Sequence, residues 1–269
     1  MGKPIKKNPL NPATPRRGLR FAPTLFVLLL IPFLSWSQWN WVNPLPGPDW
    51  YMAMDFTSSG PGFALGVQGN LIKTNDAGFT WTEVVPKPIP EGYYTDMLFA
   101  DQNTGLITGV GGVILRSGDG GVSWSSISSG TGHDLRSLSM PDPLHGYITG
   151  NQGTILKTDD GGISWDPVPT ITTSNFTDNC FTDSLTGYIA AGKYLFRTTN
   201  GCSSWDTVFR SESSWSFDKL FALNDSTIFV TTGQGFLFRT TDVGKSWTRL
   251  NTGPNNHFGG LNDGLYRVA

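Results

Sequence analysis

From residue 50 onward the chain alternates between apolar runs of four to six residues and short stretches rich in Gly, Asn, Asp and Pro. Runs of that length, rich in β-branched and aromatic residues and bounded by turn formers, predict β-strands joined by tight turns. The runs are also ordered. GFALG (62–66), GLITG (105–109), GYITG (146–150), GYIAAG (187–192) and STIFVTTG (226–233) occupy one place in a repeating unit. Ahead of them stand runs such as YTDMLFA (94–100) and LRSLSM (135–140), and behind them a polar turn leads to Trp and a further run, as in WTEVVP (81–86) and WDTVF (205–209). The tryptophans that close the units, Trp81, Trp124, Trp165, Trp205 and Trp247, are spaced by 43, 41, 40 and 42 residues. Four short strands repeated at such a period predict an all-β fold, a β-propeller of four-stranded blades.

The turn before each tryptophan is one motif in five copies: KTNDAGFTW (73–81), RSGDGGVSW (116–124), KTDDGGISW (157–165), RTTNGCSSW (197–205) and RTTDVGKSW (239–247). A tight turn needs a residue that tolerates positive φ, which Gly78, Gly121, Gly162 and Gly244 supply. Asp76, Asp119, Asp160 and Asp242 can accept backbone N–H groups of their own turn, and the Trp ring can fold back over the hairpin. These acids therefore read as structural staples. The fourth copy departs, with Asn200 in the Asp place and Cys202 in the Gly place. The basic residue that opens each copy (Lys73, Arg116, Lys157, Arg197, Arg239) reads as a stem packed beside the Trp with its head in water.

The pattern Ser/Thr-x-Asp-x-Gly-x-x-Trp resembles the Asp-box, or bacterial neuraminidase repeat. The longer unit resembles the propeller of photosystem II assembly and stability factors, a domain that also recurs in exported bacterial proteins without a photosynthetic role. The resemblance implies a non-catalytic scaffold for binding or assembly. Two other classes share the architecture: a carbohydrate-active enzyme such as a sialidase, and a structural module of a larger cell-surface protein. A sialidase site needs an arginine trio, and of the aligned inner-strand positions only Arg136 is basic. Asp96, Asp178 and Asp218 recur at one position in that alignment and read as ordinary channel-lining residues. The arginine-rich patch that the photosystem family implies is not visible in the sequence.

The ends change the picture. Lys3, Lys6, Lys7, Arg16, Arg17 and Arg20 precede an apolar stretch from Phe21 to Leu34, and Ser35-Trp36-Ser37 has small residues flanking a cleavage point. Residues 1–37 thus read as a signal peptide, too short in its apolar part to span a bilayer, with Gln38 as the mature N-terminus and a secreted, periplasmic or cell-surface destination. Residues 38–269 form the propeller, with five full repeats near 50–251. Residues 39–44 read as the fourth strand of a further blade and residues 264–269 as its first, so that the chain stops inside a repeat.

Composition narrows the chemistry. A net charge of −2 gives no basic stripe and disfavours nucleic acid. His133, His145 and His257 lie in separate loops without ligand spacing, so no metal or other cofactor is expected. Export permits a disulfide, but Cys180 and Cys202 fall two strands apart in one sheet, roughly 10 Å and beyond the usual spacing of a bridge, so a bond between them is the lesser of two open readings. What remains is the face opposite the Asp-box turns, formed by the connections between blades and the loops between second and third strands. There Trp50, Tyr93, Tyr94, Phe176 and Trp215, with Arg136, Gln68, Gln152 and Gln234, are the candidate site for a protein or glycan ligand. The competing reading wedges several of these rings between blades as core.

Overall fold

The computed structural model describes residues 50–57, 60–85, 89, 91–211 and 215–250. The expected signal peptide and the expected partial strands at 39–44 and 264–269 lie outside the described residues. Blade 1 contains β1 (Tyr51–Phe56), β2 (Gly62–Gly66), β3 (Leu71–Thr74) and β4 (Thr82–Glu83). Blade 2 contains β5 (Tyr94–Phe99), β6 (Gly105–Gly109), β7 (Ile114–Ser117) and β8 (Ser125–Ile127). Blade 3 contains β9 (Leu135–Ser139), β10 (Gly146–Gly150), β11 (Ile155–Thr158) and β12 (Asp166–Pro167). Blade 4 contains β13 (Asp178–Phe181), β14 (Gly187–Ala191), β15 (Tyr194–Thr198) and β16 (Asp206–Arg210). Blade 5 contains β17 (Phe217–Ala222), β18 (Ile228–Thr232), β19 (Leu237–Thr240) and β20 (Thr248–Leu250).

Every blade is an antiparallel meander in sequence order, and the inner strands β1, β5, β9, β13 and β17 lie side by side in that order. Second strands are buried on both faces in blades 1 to 4 and therefore read as continuous apolar runs rather than as alternation.

Sheets of neighbouring blades meet face to face, and the repeat writes the packing. Phe99 stacks on Phe63 of the preceding blade, with ring centroids 4.4 Å apart, and takes the edge of its own Trp124 at 6.0 Å. Phe181 repeats this two blades on, stacked on Tyr147 and edged by Trp205. The turn glycine of each following blade closes the contact from the other side. A Cβ on Gly162 would come within 2.7 Å of Leu106, and one on Gly121 within 3.2 Å of Phe63. Here glycine is required twice over, for its φ (+77° and +82°) and for the close approach.

Inner strands of adjacent blades share no sheet hydrogen bonds, so side chains join them. Asp55 accepts the N–H of Phe99 at 2.6 Å, Asp96 that of Leu138 at 2.8 Å, and Asp178 that of Leu220 at 2.7 Å. In blade 3 hydroxyls take over: Ser137 accepts from Asn179 and Ser139 from Phe181. The register corrects one alignment made from sequence. An irregularity between Phe217 and Leu220 places Lys219, not Asp218, opposite Thr231 and thus in the position of Asp96 and Asp178.

Candidate functional site

The two ends of the blades are chemically distinct. At one end lie the turns that precede the tryptophans. In blade 1 the Thr74 hydroxyl donates to the Asp76 carboxylate and accepts the Gly78 N–H, while Asp76 accepts both the N–H and the hydroxyl of Thr80. Ser117 and Asp119, Thr158 and Asp160, and Thr240 and Asp242 repeat the scheme. Those hydrogen bonds, the Thr80, Ser123, Ser164 and Ser246 hydroxyls first, hold all four carboxyls at about 2. Asn200 fills the Asp role in blade 4, accepting from Thr198 and Ser204 and giving its amide N–H to the Ser204 hydroxyl. Cys202 takes the glycine place at φ 71°, where its buried side chain packs in one cluster with Tyr147. Burial pushes its thiol up to about 12, and it forms no disulfide with Cys180.

The tryptophans divide. The indole N–H groups of Trp81, Trp124 and Trp247 donate to the carbonyls of Gly78, Gly121 and Gly244, whereas those of Trp165 and Trp205 have no protein partner. The basic residues opening the motif do more than the sequence suggests. Arg116 donates to the Gly161 carbonyl of the next blade, Lys157 pairs with Asp159 at 2.9 Å, and Lys73 and Arg197 lie over Phe63 and Tyr188 rather than over a Trp.

A second repeated acid went unnoticed in the sequence. Asp101, Asp142 and Asp183, with Asn224 in blade 5, each accept two backbone N–H groups two and three residues on, in the loop between first and second strands. Their even spacing was the available signal. That loop in turn bonds to the Trp-preceding turn of its own blade, as Gly120 to Asn103 and Gly161 to Leu144. This end is therefore a web of backbone–carboxylate hydrogen bonds.

At the opposite end the blade connections interlock with the loops between second and third strands. The N–H of Val67 donates to Trp50, that of Val110 to Tyr93, and that of Asn151 to Asp134, all through backbone carbonyls. Trp50 is 79% exposed and Tyr93 65%, and Gln68, Gln152 and Gln234 are exposed at loop tips on the same face. Gln152 sits at φ 54°, its N–H bonded to Asn175. Arg136 is exposed near the start of β9. Its Nε donates to Asn151 at 2.7 Å, and Asn151 donates to Asp134, which also accepts the Gly111 N–H.

Two of the expected site rings are core and a third is half-buried. Tyr94 (3% exposed) and Phe176 (0%) are core, because each enters the blade at the start of an inner strand and is drawn between two sheets. Trp215 is half-buried against Phe236, with the Arg249 guanidinium 3.7 Å above the Phe236 ring. In the channel, Asp96 and Asp178 accept strand N–H groups of the next blade, and Lys219 stands 3.9 Å from Asp178. Asp178 first, then Asp96 and Asp218, raise the Lys219 pKa while burial opposes them. Among the described residues no group of three His, Cys, Asp or Glu side chains could hold a metal ion, and no helix is long and apolar enough to cross a membrane.

Four-stranded antiparallel blades set side by side, with hydrogen-bonded turns at one end and exposed aromatic and amide groups at the other, define a five-bladed β-propeller. Residues 31–133 and 130–252 match the family model of the photosynthesis system II assembly factor YCF48, and the chain belongs to that family. No curated protein matches it. Among solved structures, YCF48 bound to a D1 peptide is similar with a TM-score of 0.58 and 17% identity, covering 74% of this chain and 66% of that one. The GH74 enzyme of Niastella koreensis (TM-score 0.58, 23% identity, covering 75% of this chain and 31% of that one) is also similar. So is the GH74 xyloglucanase of Xanthomonas campestris (TM-score 0.59, 14% identity, covering 75% and 38%). At these identities the likeness is one of fold, and the chain spans less than two thirds of each of the three.

Proposed function

We infer that this chain is an exported scaffold that binds a polypeptide partner on the face opposite the Trp-preceding turns and carries out no chemistry of its own. One contrast carries the reading. The carboxylates that would serve as acid and base, Asp55, Asp96, Asp178 and the four turn acids, are engaged by backbone N–H groups. Trp50 and Tyr93 on the connection face stand out from the surface instead. Carboxylates held by several donors are poor general bases, whereas exposed aromatic rings are the usual anchors of protein recognition. Family membership and the D1 peptide bound by the similar YCF48 support a peptide as the partner class. The similarity to two GH74 propellers gives a glycosidase as the second reading, one that would need a free carboxylate pair.

The test is a hydrogen-exchange footprint with the D1 peptide. Slowed exchange confined to 67–70, 110–113 and 151–154 supports the assignment. Slowed exchange at the turns 76–81 or 119–124 contradicts it, and so does hydrolysis of xyloglucan.

A further inference from the structure

Asn200-Gly201 is the one Asn-Gly pair in the sequence, and it falls on the turn where blade 4 departs from the other four. Such a pair carries its own chemistry. Glycine has no side chain to shield its backbone nitrogen, so that nitrogen, once deprotonated, can attack the carbonyl carbon of the preceding Asn side chain. The C–N bond that forms closes a succinimide ring, and the side-chain nitrogen leaves as ammonia. Water then opens the ring. Hydrolysis at the side-chain carbon gives Asp. Hydrolysis at the main-chain carbon gives isoaspartate, in which the chain runs through the former side chain. Water is the only co-reactant, and Asn200 is exposed to it. The glycine itself is fixed by the turn, where it sits at φ 63°.

We propose that Asn200 is a deamidation site guarded by the fold: it is inert while the loop 182–186 is seated on its turn and reacts when that loop lifts. The proposal does not depend on the peptide-binding reading. Both reacting groups are engaged in the seated turn. The Gly201 N–H donates to the Leu185 carbonyl at 2.9 Å. Asn200 Oδ1 accepts from the Thr198 hydroxyl at 3.0 Å and the Ser204 N–H at 2.9 Å, and the amide N–H donates to the Ser204 hydroxyl at 2.8 Å. Attack requires the Gly201 proton to be given up and the Asn200 amide to be free to swing onto that nitrogen, and these bonds oppose both. The loop is held in turn by Asp183, which accepts the Leu185 and Thr186 N–H groups at 2.7 Å each. The same guard covers the Asp-Gly pairs of two other blades, where Gly120 donates to Asn103 and Gly161 to Leu144. The two products differ in what the turn can do with them. Asp at position 200 supplies the carboxylate that takes both the N–H and the hydroxyl of the residue four further on, as in the other blades. Isoaspartate adds a methylene to the main chain and shortens the side chain, which breaks that scheme.

Peptide mapping by mass tests this, with the full chain held in mildly alkaline buffer below its melting temperature beside the free peptide 197–205. Asn200 in the folded chain should deamidate at least about tenfold more slowly than in the peptide. Asp183→Ala, which unseats the loop, should speed the reaction at least about threefold over the unaltered chain. Asp183→Asn should not, because an amide oxygen can accept the same two N–H groups, as Asn224 does in blade 5. Ser204→Ala, at an exposed position, removes the acceptor of the Asn200 amide and should also speed the reaction. It carries the test where Asp183→Ala melts below the incubation temperature. Deamidation of the folded chain at the rate of the peptide overturns the proposal. So does a rate that the folded alanine variants leave unchanged, or one that Asp183→Asn raises as much as Asp183→Ala.

Discussion

The Asp178 carboxylate accepts the backbone N–H of Leu220, 42 residues further along the chain, at 2.7 Å. One oxygen thereby ties blade 4 to blade 5, and the other takes the Ser137 hydroxyl of blade 3 at 2.6 Å. A residue that lines the channel and looks like a candidate acid is instead the joint of three blades. Asp178 is buried, so Asp178→Ala leaves donors unpaired on both sides and should lower unfolding free energy by about 1–3 kcal/mol. Urea denaturation measures it. An unchanged midpoint would mean that water replaces the carboxylate at no cost.

The turn acids predict a pH dependence. Folding lowers the carboxyls of Asp76, Asp119, Asp160 and Asp242 from 3.8 to about 2. A depressed folded pKa means stability that is complete above about pH 4 and is lost as pH falls toward 2. Melting followed between pH 5 and 2 should show this loss, and a variant with Asp119→Asn should show less of it. Because these groups face solvent, high salt should change the effect little only where hydrogen bonding rather than long-range charge sets it. Asn200→Asp, which brings the fourth turn into line with the other four, should raise the melting temperature at pH 7 and add to the acid sensitivity.

Much of this was legible in the sequence because the repeat states each relationship several times. Five tryptophans in register marked five repeats and the strand order within each, and the turn motif pointed to the role of Asp76 and its equivalents. The surface was harder to read. Tyr93 and Tyr94 are neighbours of the same type, yet one is exposed and the other is core, because strand alternation turns successive side chains to opposite sides and only the structure fixes which side is covered. Asp218 was aligned where Lys219 stands because an irregularity in β17 shifts the register by one, and no composition signal marks it. Asp101, Asp142 and Asp183 carried a readable period that the stronger turn motif overshadowed.

That tyrosine pair gives a third prediction. Tyr94→Ala removes a buried ring and should destabilise the protein by about 3–5 kcal/mol, while Tyr93→Ala should stay within about 0.5 kcal/mol of the unaltered chain. Thermal or chemical denaturation of the two variants side by side decides it, and equal losses would place both rings in the core.

Export makes a fourth. On the proposed export, cleavage after Ser37 would leave a chain that begins at Gln38. Intact-mass analysis of material recovered outside the cytoplasm should find that start, and residues 21–37 retained in a membrane fraction would contradict it.

The central claim is that the connection face binds a polypeptide through rings the fold itself does not use. Calorimetric titration of the D1 peptide into the chain and into the double variant Trp50→Ala, Tyr93→Ala tests it most directly. The account predicts at least about a tenfold loss of affinity, some 1.4 kcal/mol, with an unchanged melting temperature. Equal affinity for the two proteins, or a loss of affinity that appears only together with a loss of fold, would contradict it.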